Sequence, residues 1–227
     1  FRELIPSKLP SQKRCFPLDT HESRLSLVWL NEEFEPISTP SILELSYHPF
    51  SRLEDPRLVV VANQLYIVYS DNLNHIYSGQ GCRVFVAGIE TCDDNFFVYN
   101  RECLSHFEGE CHEKAEKNWV PFDYHGNLLL SYSIAPHRVL FPLCGTNTCE
   151  AFATSNAFCQ WEWGELRGGT PALCINDTHY LSFFHSSVEL ATPYSDNKKA
   201  LHYFIGAYTF SADYPFALTS ISKTPFF

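Results

Sequence analysis

Short apolar runs alternate with turn-forming residues along most of this chain, and helical periodicity is nearly absent. Runs of β-branched, aromatic and leucine residues bounded by Gly, Asn, Asp and Pro are typical of β-strands. The clearest example is LEDPRLVVVANQLYIVYS (53–70), where two apolar runs flank the pair Ala62-Asn63. The pattern therefore predicts an all-β protein built from hairpins.

Three such hairpins can be superposed as a repeat. Each has a polar start, an apolar strand, a turn, and a second strand that ends in an aromatic residue. The segments are EDPRLVVVANQLYIVYS (54–70), KNWVPFDYHGNLLLSYS (117–133) and GTPALCINDTHYLSFFHS (169–186). They recur at intervals of roughly fifty to sixty residues, which suits a four-stranded propeller blade with its loops.

Further strand pairs fit around these hairpins, at 82–89 with 95–100 and at 200–210 with 216–222, and a strand at 23–31 would close the ring. We therefore expect a five-bladed β-propeller that forms one domain over residues 1–227, with a β-sandwich as the alternative. Because the first strand of a blade lines the central channel, the polar starts of the hairpins should converge at one end of its axis.

The composition narrows the class of protein. A chain with 45% hydrophobic and 19% charged residues is typical of a soluble globular protein. The net charge of −10 argues against a nucleic-acid partner, and no apolar run is long enough to span a membrane. The nine cysteines are scattered without close pairs, which favours reduced thiols and a cytoplasmic location. Oligomer formation is possible.

The polar starts of the hairpins supply the candidate chemistry. Asp55 precedes a proline, and a carboxylate at a channel mouth can be tuned for acid–base work. The alternative is that Asp55 caps a turn. Lys117, His137 and Arg138 bracket one hairpin and would converge on an anion such as phosphate. The alternative for these cations is salt bridges to nearby carboxylates.

A third cluster lies in WEWGELRGGTPAL (161–173). Arg167 precedes two glycines, which predicts a cation on a flexible turn that can approach a ligand closely. Trp161 and Trp163 would form a stacking platform for a sugar ring, or else pack in the core. His185 ends a strand and either lines the same mouth or serves as a structural hydrogen-bonding group. Signatures of hydride transfer, P-loop phosphoryl transfer and zinc proteolysis are absent from the sequence.

These segments resemble glycoside hydrolase family 130, the β-mannoside phosphorylases and their relatives. EDPRLVVV resembles the family's E-D-P-R-I strand, and residues 117–140 resemble its K-D-x-x-x-F-P and H-R motifs. Residues 170–226 resemble its C-terminal pattern, so the likeness runs in order over roughly 50–227, while the first 50 residues match poorly. Asn118 stands where the family usually has Asp. A related branch of β-1,2-mannosyltransferases has the same propeller.

The resemblance implies roles for individual residues. Asp55 matches the general acid, which protonates the leaving oxygen directly or through a sugar hydroxyl. The residues implied for phosphate binding are Arg83, Lys117, His137 and Arg138. Glu54 and Arg57 would set the pKa of the acid and hold the sugar. The remaining candidates for substrate contact are Asn118, Arg167 and His185.

The expected function is inverting transfer of a mannosyl unit between a glycan and inorganic phosphate, which is a co-substrate. No metal or other cofactor is expected. The alternatives are a mannosyltransferase that uses a sugar phosphate or a nucleotide sugar, an inverting glycoside hydrolase, and an inactive propeller that only binds glycans.

Overall fold

Strands dominate the structure, which is a computed structural model. It describes residues 2–6, 21–46, 51–72, 81–104, 106–107, 115–156 and 159–226. Within these ranges the one helical element is a 3-10 turn, Pro193–Ser195. No described helix is long and apolar enough to cross a membrane. The cysteines of the described ranges are free thiols.

The strands form four sheets, numbered here in chain order. Sheet 1 has the order β1-β2-β3, with β1 Arg2–Pro6, β2 His21–Leu27 and β3 Ser41–Ile42. Sheet 2 is the meander β4-β5-β6-β7, with β4 Leu53–Val61, β5 Gln64–Asn72, β6 Cys82–Cys92 and β7 Asn95–Cys103. Every pairing within these two sheets is antiparallel.

Sheets 3 and 4 repeat the meander. Sheet 3 has the order β8-β12-β11-β10-β9, with β8 His106–Phe107, β9 Val120–Tyr124, β10 Asn127–Ser133, β11 His137–Leu143 and β12 Thr148–Ser155. Its β8–β12 pair is parallel. Sheet 4 comprises β13 Arg167–Gly168, β14 Leu173–Cys174, β15 His179–Ala191, β16 Lys199–Ser211 and β17 Leu218–Ile221.

The predicted hairpin turns are confirmed. Ala62 and Asn63 join β4 to β5 with φ values of 49° and 62°, and His125 and Gly126 join β9 to β10 with φ values of 50° and 78°. Two central residues with positive φ give a turn whose twist matches that of the flanking strands. Asp177, at φ 57°, lies between β14 and β15. The strand pair β11–β12 was not predicted.

Successive sheets pack face to face, each pair around its own apolar cluster. Sheets 1 and 2 share a cluster that includes Leu25 and Ile67, and sheets 2 and 3 share one that includes Val68 and Leu130. Sheets 3 and 4 share the largest cluster, which has Phe122 at its centre. Adjacent residues such as 67 and 68 serve different clusters because side chains alternate across a strand.

Contacts between neighbouring sheets run along β4, β9 and β13. β4 lies beside both β2 and β9, and β13 lies beside β10. Residues from the polar starts of all three hairpins line one cleft, so these starts converge as the repeat predicts. The closure of these sheets into a five-bladed propeller stays a prediction.

We expect Phe122→Ala to lower the free energy of unfolding by about 3–5 kcal/mol, because it leaves a cavity between two sheets. The Phe122 ring is fully buried, and its centroid lies 4.9 Å from that of Tyr180 and 5.3 Å from that of Phe210. Urea denaturation measures the change. Phe34→Ala is the control, since Phe34 is 82% exposed and should change stability by less than about 0.5 kcal/mol. Equal effects of the two substitutions would contradict this packing.

Candidate active site

Strand β4 begins with a bulge that carries Asp55. In the register of β4 against β5, Asp55 and Pro56 together oppose the single residue Tyr69. An extra residue bends a strand and redirects its side chains. The flanking side chains of Leu53 and Arg57 are buried, whereas Asp55 is exposed. Strict alternation would bury residue 55 together with residues 53 and 57. The bulge instead leaves the carboxylate of Asp55 exposed.

The backbone of Asp55 is in an unfavourable conformation. Its φ is 52°, in the left-handed region, and the residue that follows is Pro56. Most L-residues pay a steric penalty in this region, Asp and Asn less than the others, and a following proline disfavours helical conformations further. Such strain persists only where surrounding contacts enforce it, and it clusters at functional sites. The carbonyl of Asp55 accepts a hydrogen bond from the side chain of Arg57.

The Arg57 guanidinium is buried and bonded to protein oxygen atoms on several sides. Its Nη1 donates to the carbonyl oxygen of Asp55 at 2.8 Å. Its Nε donates to the carbonyl of Gly169 at 2.6 Å, and its Nη2 donates to the carbonyl of Gly168 at 3.0 Å and to Oδ1 of Asn118 at 3.3 Å. One side chain thus joins β4 to the segment before β9 and to the start of sheet 4.

The two glycines after Arg167 serve close backbone packing, so the predicted flexible turn is wrong. Arg167–Gly168 forms β13, which pairs with β15. A Cβ on Gly168 would collide with the carbonyl oxygen of Asn118, and a Cβ on Gly169 would collide with that of Phe183. Glycine is therefore required at these two positions, where the chain passes close to other backbone segments, and strand pairing fixes the backbone of Arg167.

Seven of the predicted site residues line one cleft of about 470 Å³. They are Glu54, Asp55, Arg57, Lys117, Asn118, Arg167 and His185. Tyr203, which sequence reasoning missed, completes the wall and is 60% exposed. The available signal was the run of alternating exposed positions along β16, in which Tyr203 lies between Leu201 and Ile205. That pattern alone does not indicate which part of the strand reaches the cleft.

The cleft combines one exposed carboxylate with several cations. Among the described residues, no hydrogen bond or ion pair engages the carboxylate of Asp55 or the ammonium of Lys117. Arg167 pairs with Glu165 at 3.4 Å. The pKa of His185 is lowered, first by burial and next by the charge of Arg57, so the ring is neutral at pH 7.

A second, smaller cleft of about 320 Å³ shares Lys117, Asn118 and Arg167 with the first. Its other walls include Glu116 and Tyr132. The carboxylate of Glu116 is buried and accepts hydrogen bonds from Nε1 of Trp119 at 3.1 Å and from the Tyr132 hydroxyl at 3.4 Å. Lys117 and Arg167 therefore lie between the two clefts and line both of them.

His137, which the sequence assigns to phosphate, lies in the core instead. Its side chain is fully buried, and its Nδ1 donates to the carbonyl of Phe216 at 2.6 Å. That bond fixes the proton on Nδ1, so Nε2 accepts from the hydroxyl of Ser131 at 2.9 Å. Both ring nitrogens are occupied by the protein, and burial lowers the pKa of His137 to about 4.

Arg83 and Arg138 also lie outside the lining of the two clefts. Arg83 is buried on β6, opposite Asp71, and its Nη1 is 3.4 Å from the carbonyl of Cys82. The Arg138 guanidinium stacks over the Tyr132 ring at 4.9 Å. Arg138 is thus one side chain away from the smaller cleft, and Arg83 is a buried member of sheet 2.

The two tryptophans pack against sheet 4. Trp161 contacts Phe184 with a centroid distance of 4.8 Å, and its Nε1 donates to the Ser186 hydroxyl at 2.9 Å. Trp163 lies 4.9 Å from Phe204. Neither tryptophan lines the Asp55 cleft, so the packing alternative describes them better than the stacking platform.

Comparison with solved structures supports the fold. A glycosyl hydrolase from Bacteroides ovatus aligns with a TM-score of 0.64 at 14% identity, over 100% of this chain and 66% of that chain. A second structure belongs to a study of the GH130 family of mannoside phosphorylases, which contains glycoside hydrolases that target β-1,2 mannosidic linkages in Candida mannan. It aligns with a TM-score of 0.63 at 13% identity, over 100% of this chain and 66% of that chain.

This chain therefore spans about two thirds of the length of the structures it matches. No family model matches the sequence. No curated protein matches it either. At this level of identity the likeness shows a shared fold.

The buried neutral state of His137 predicts a pH-dependent stability. The pKa of an unfolded histidine is about 6.5, so the unfolded chain binds the proton between that value and the folded pKa of about 4. Stability contributed by this group is therefore full above pH 6.5 and is lost as the pH falls. The contribution should fall by about 2 kcal/mol between pH 7 and pH 5.

Urea denaturation of the wild type and of His137→Gln at both pH values measures this contribution. The wild type should lose more stability on acidification than the variant, by about that amount. An equal loss in the two proteins would show that His137 does not carry the effect.

Proposed function

We propose that the protein is a carbohydrate-active enzyme, an inverting β-mannoside phosphorylase built on a five-bladed propeller. One observation carries the proposal. A strained bulge presents the unpaired carboxylate of Asp55 to a cleft that also holds the cations Lys117 and Arg167. The shared fold with glycoside hydrolases and with a GH130 structure supports the same class of reaction.

The proposed reaction is a single displacement. An oxygen of inorganic phosphate attacks the anomeric carbon while the bond from that carbon to the glycosidic oxygen breaks. Protonated Asp55 gives its proton to the leaving oxygen, directly or through a sugar hydroxyl. The products are a mannose 1-phosphate of inverted configuration and the shortened glycan, and Asp55 is left as the carboxylate.

Lys117 and Arg167 are the cations proposed to hold the phosphate. Lys117 is exposed, Arg167 is half-buried, and both lie in the cleft that contains Asp55. An anion between them would receive charge-assisted hydrogen bonds from two sides. Of the residues that the resemblance implies for phosphate, only Lys117 lines this cleft, because His137 and Arg83 are buried. Arg167, which was expected to contact the substrate, is proposed as the second phosphate-holding cation. Arg138 lies outside this cleft, with its guanidinium over the Tyr132 ring.

Tyr203 and His185 are proposed as the sugar-facing wall. The two rings lie 6.3 Å apart at an angle of 41°. An exposed aromatic ring can pack against the apolar face of a pyranose, and a neutral imidazole can accept a hydrogen bond from a hydroxyl. Glu54 lines the same cleft.

Asp55→Asn should lower kcat for phosphorolysis of β-mannosides by about 10²- to 10⁴-fold, the usual contribution of a general acid. Asparagine suits the test because it tolerates the left-handed backbone that Asp55 adopts. A substrate with a strongly acidic phenol as leaving group needs little protonation, so the variant should lose much less activity with it. Steady-state assays with phosphate and both classes of substrate measure these losses.

Asp93→Asn is the matched control, since Asp93 is also exposed and left-handed, with φ 48°, in the turn from β6 to β7. It should leave kcat unchanged. Full activity of Asp55→Asn would remove Asp55 as the acid. No turnover by the wild type on mannosides with phosphate, with water, or in synthesis from mannose 1-phosphate would end the enzyme proposal.

Lys117→Ala should weaken binding of inorganic phosphate about tenfold, because a charge-assisted hydrogen bond contributes about 1.5–3 kcal/mol before solvent screening. Isothermal titration calorimetry measures the affinity without any turnover. Lys198→Ala is the control, since Lys198 is exposed beyond the 3-10 turn and away from both clefts. Equal affinities in Lys117→Ala and the wild type would contradict the phosphate site.

A further inference from the structure

We propose that Arg57 is a positioning residue that fixes Asp55 relative to the two phosphate-holding cations, and that it does not hold the sugar. This inference rests on the proposed function, because it assigns a role within the same cleft. It reverses the sequence-based expectation that Arg57 contacts substrate.

The hydrogen-bonding capacity of Arg57 is almost fully used within the protein. A guanidinium has five N–H groups, one on Nε and two on each terminal nitrogen. Nε donates to Gly169, Nη2 donates to Gly168 and Asn118, and Nη1 donates to the carbonyl of Asp55. The side chain is also only 6% exposed. A sugar hydroxyl would therefore have to displace a bond that already exists.

Two bonds of Arg57 lead to backbone carbonyl groups at or beside a proposed functional group, the acid Asp55 and the cation Arg167. The carbonyl of Asp55 belongs to the bulge that presents the acid. The carbonyl of Gly168 follows directly after Arg167 in β13. Because a guanidinium is planar and rigid, it sets the separation of these two backbones with a fixed fork.

A further hydrogen bond of Arg57 goes to Asn118, the chain neighbour of the cation Lys117. Asn118 is buried, adopts φ 64°, and accepts from Arg57 through its Oδ1. Its neighbour Lys117 is exposed in the cleft. The missing Cβ of Gly168 lets the backbone of residue 118 come close enough for this contact. Arg57 is therefore bonded to the carbonyl of the acid itself and to one chain neighbour of each cation, Gly168 beside Arg167 and Asn118 beside Lys117.

The lowered pKa of His185 is consistent with a position of Arg57 beside the cleft. After burial, the charge of Arg57 is the next cause that lowers the pKa of His185, and the charges of Arg167 and Lys117 act in the same direction while Asp55 opposes them. Arg57 is thus close enough to the cleft for its charge to act there, although its N–H groups point to protein oxygen atoms.

Arg57→Lys tests the role because it keeps the charge but replaces the planar fork with a single nitrogen. We expect kcat to fall about 100-fold, the effect of displacing a reacting group by about 1 Å, with little change in KM for the glycoside. We expect the Kd for inorganic phosphate to rise about tenfold, because both cations move. If Arg57 instead contacted the sugar directly, Arg57→Lys would raise KM for the glycoside and leave kcat unchanged.

Arg101→Lys is the control for the loss of a guanidinium that binds backbone carbonyl groups. Arg101 also clamps backbone carbonyl groups, those of Leu45 at 3.1 Å and Ser46 at 2.6 Å, but it lies on β7 outside both clefts. It should lower the melting temperature without changing kcat or the phosphate Kd. A similar loss of kcat in both variants would mean that Arg57 acts only through stability, which would overturn the inference.

A second test distinguishes a positioning role of Arg57 from a role in protein stability alone. Guanidinium chloride at low millimolar concentration should restore activity to Arg57→Ala by filling the vacated site, whereas sodium chloride should not. If Arg57→Ala does not fold, Asn118→Gly replaces it, since this change keeps the left-handed backbone and removes one acceptor of Arg57. Asn118→Gly should lower kcat by a smaller factor with KM unchanged, and an unchanged kcat would overturn the inference.

A crystal structure of Arg57→Lys gives a result even if the wild type turns over no glycoside. The expected outcome is that Asp55 leaves the left-handed region and that β13 shifts relative to β4. An unchanged bulge together with an unchanged Arg167 would overturn the positioning role. Failure of the proposed function, by contrast, would appear as absent turnover in the wild type, so the two failures are distinguishable.

Discussion

The geometry of the cleft depends on the buried guanidinium of Arg57 and the oxygen atoms that surround it. A buried charge is tolerated only when it is well hydrogen-bonded, and here the acceptors come from three separate parts of the chain. Satisfying this one group therefore requires β4, residue 118 and the start of sheet 4 to converge. The glycine at 168 follows from the same requirement, because a side chain there would keep the backbones apart.

The strained backbone of Asp55 is a consequence of this arrangement. A left-handed residue before proline is unfavourable on its own, and the hydrogen bond from Arg57 to its carbonyl holds it in place. The result is a carboxylate that projects into solvent beside cations instead of pairing within the sheet. A general acid needs this freedom, because it must exchange its proton with a substrate oxygen.

Local chemistry was sufficient to predict the hairpins, since period-two alternation and turn residues are local signals. The convergence of their polar starts followed from the repeat of the hairpins along the chain. Local chemistry was not sufficient for His137 and Arg138. Neighbours on a strand point to opposite faces, so one entered the core while the other stacked on Tyr132. The roles of Gly168 and Tyr203 depend on which distant backbone lies opposite them, which no local pattern contains.

The most direct measurement of the central claim is a crystal structure of the protein soaked with inorganic phosphate. The account predicts an anion held between the Lys117 ammonium and the Arg167 guanidinium, with the Asp55 carboxylate across the same cleft and Arg57 still bonded to its protein carbonyl groups. An anion bound at Arg83 or Arg138 instead, with the Asp55 cleft holding only water, would contradict it.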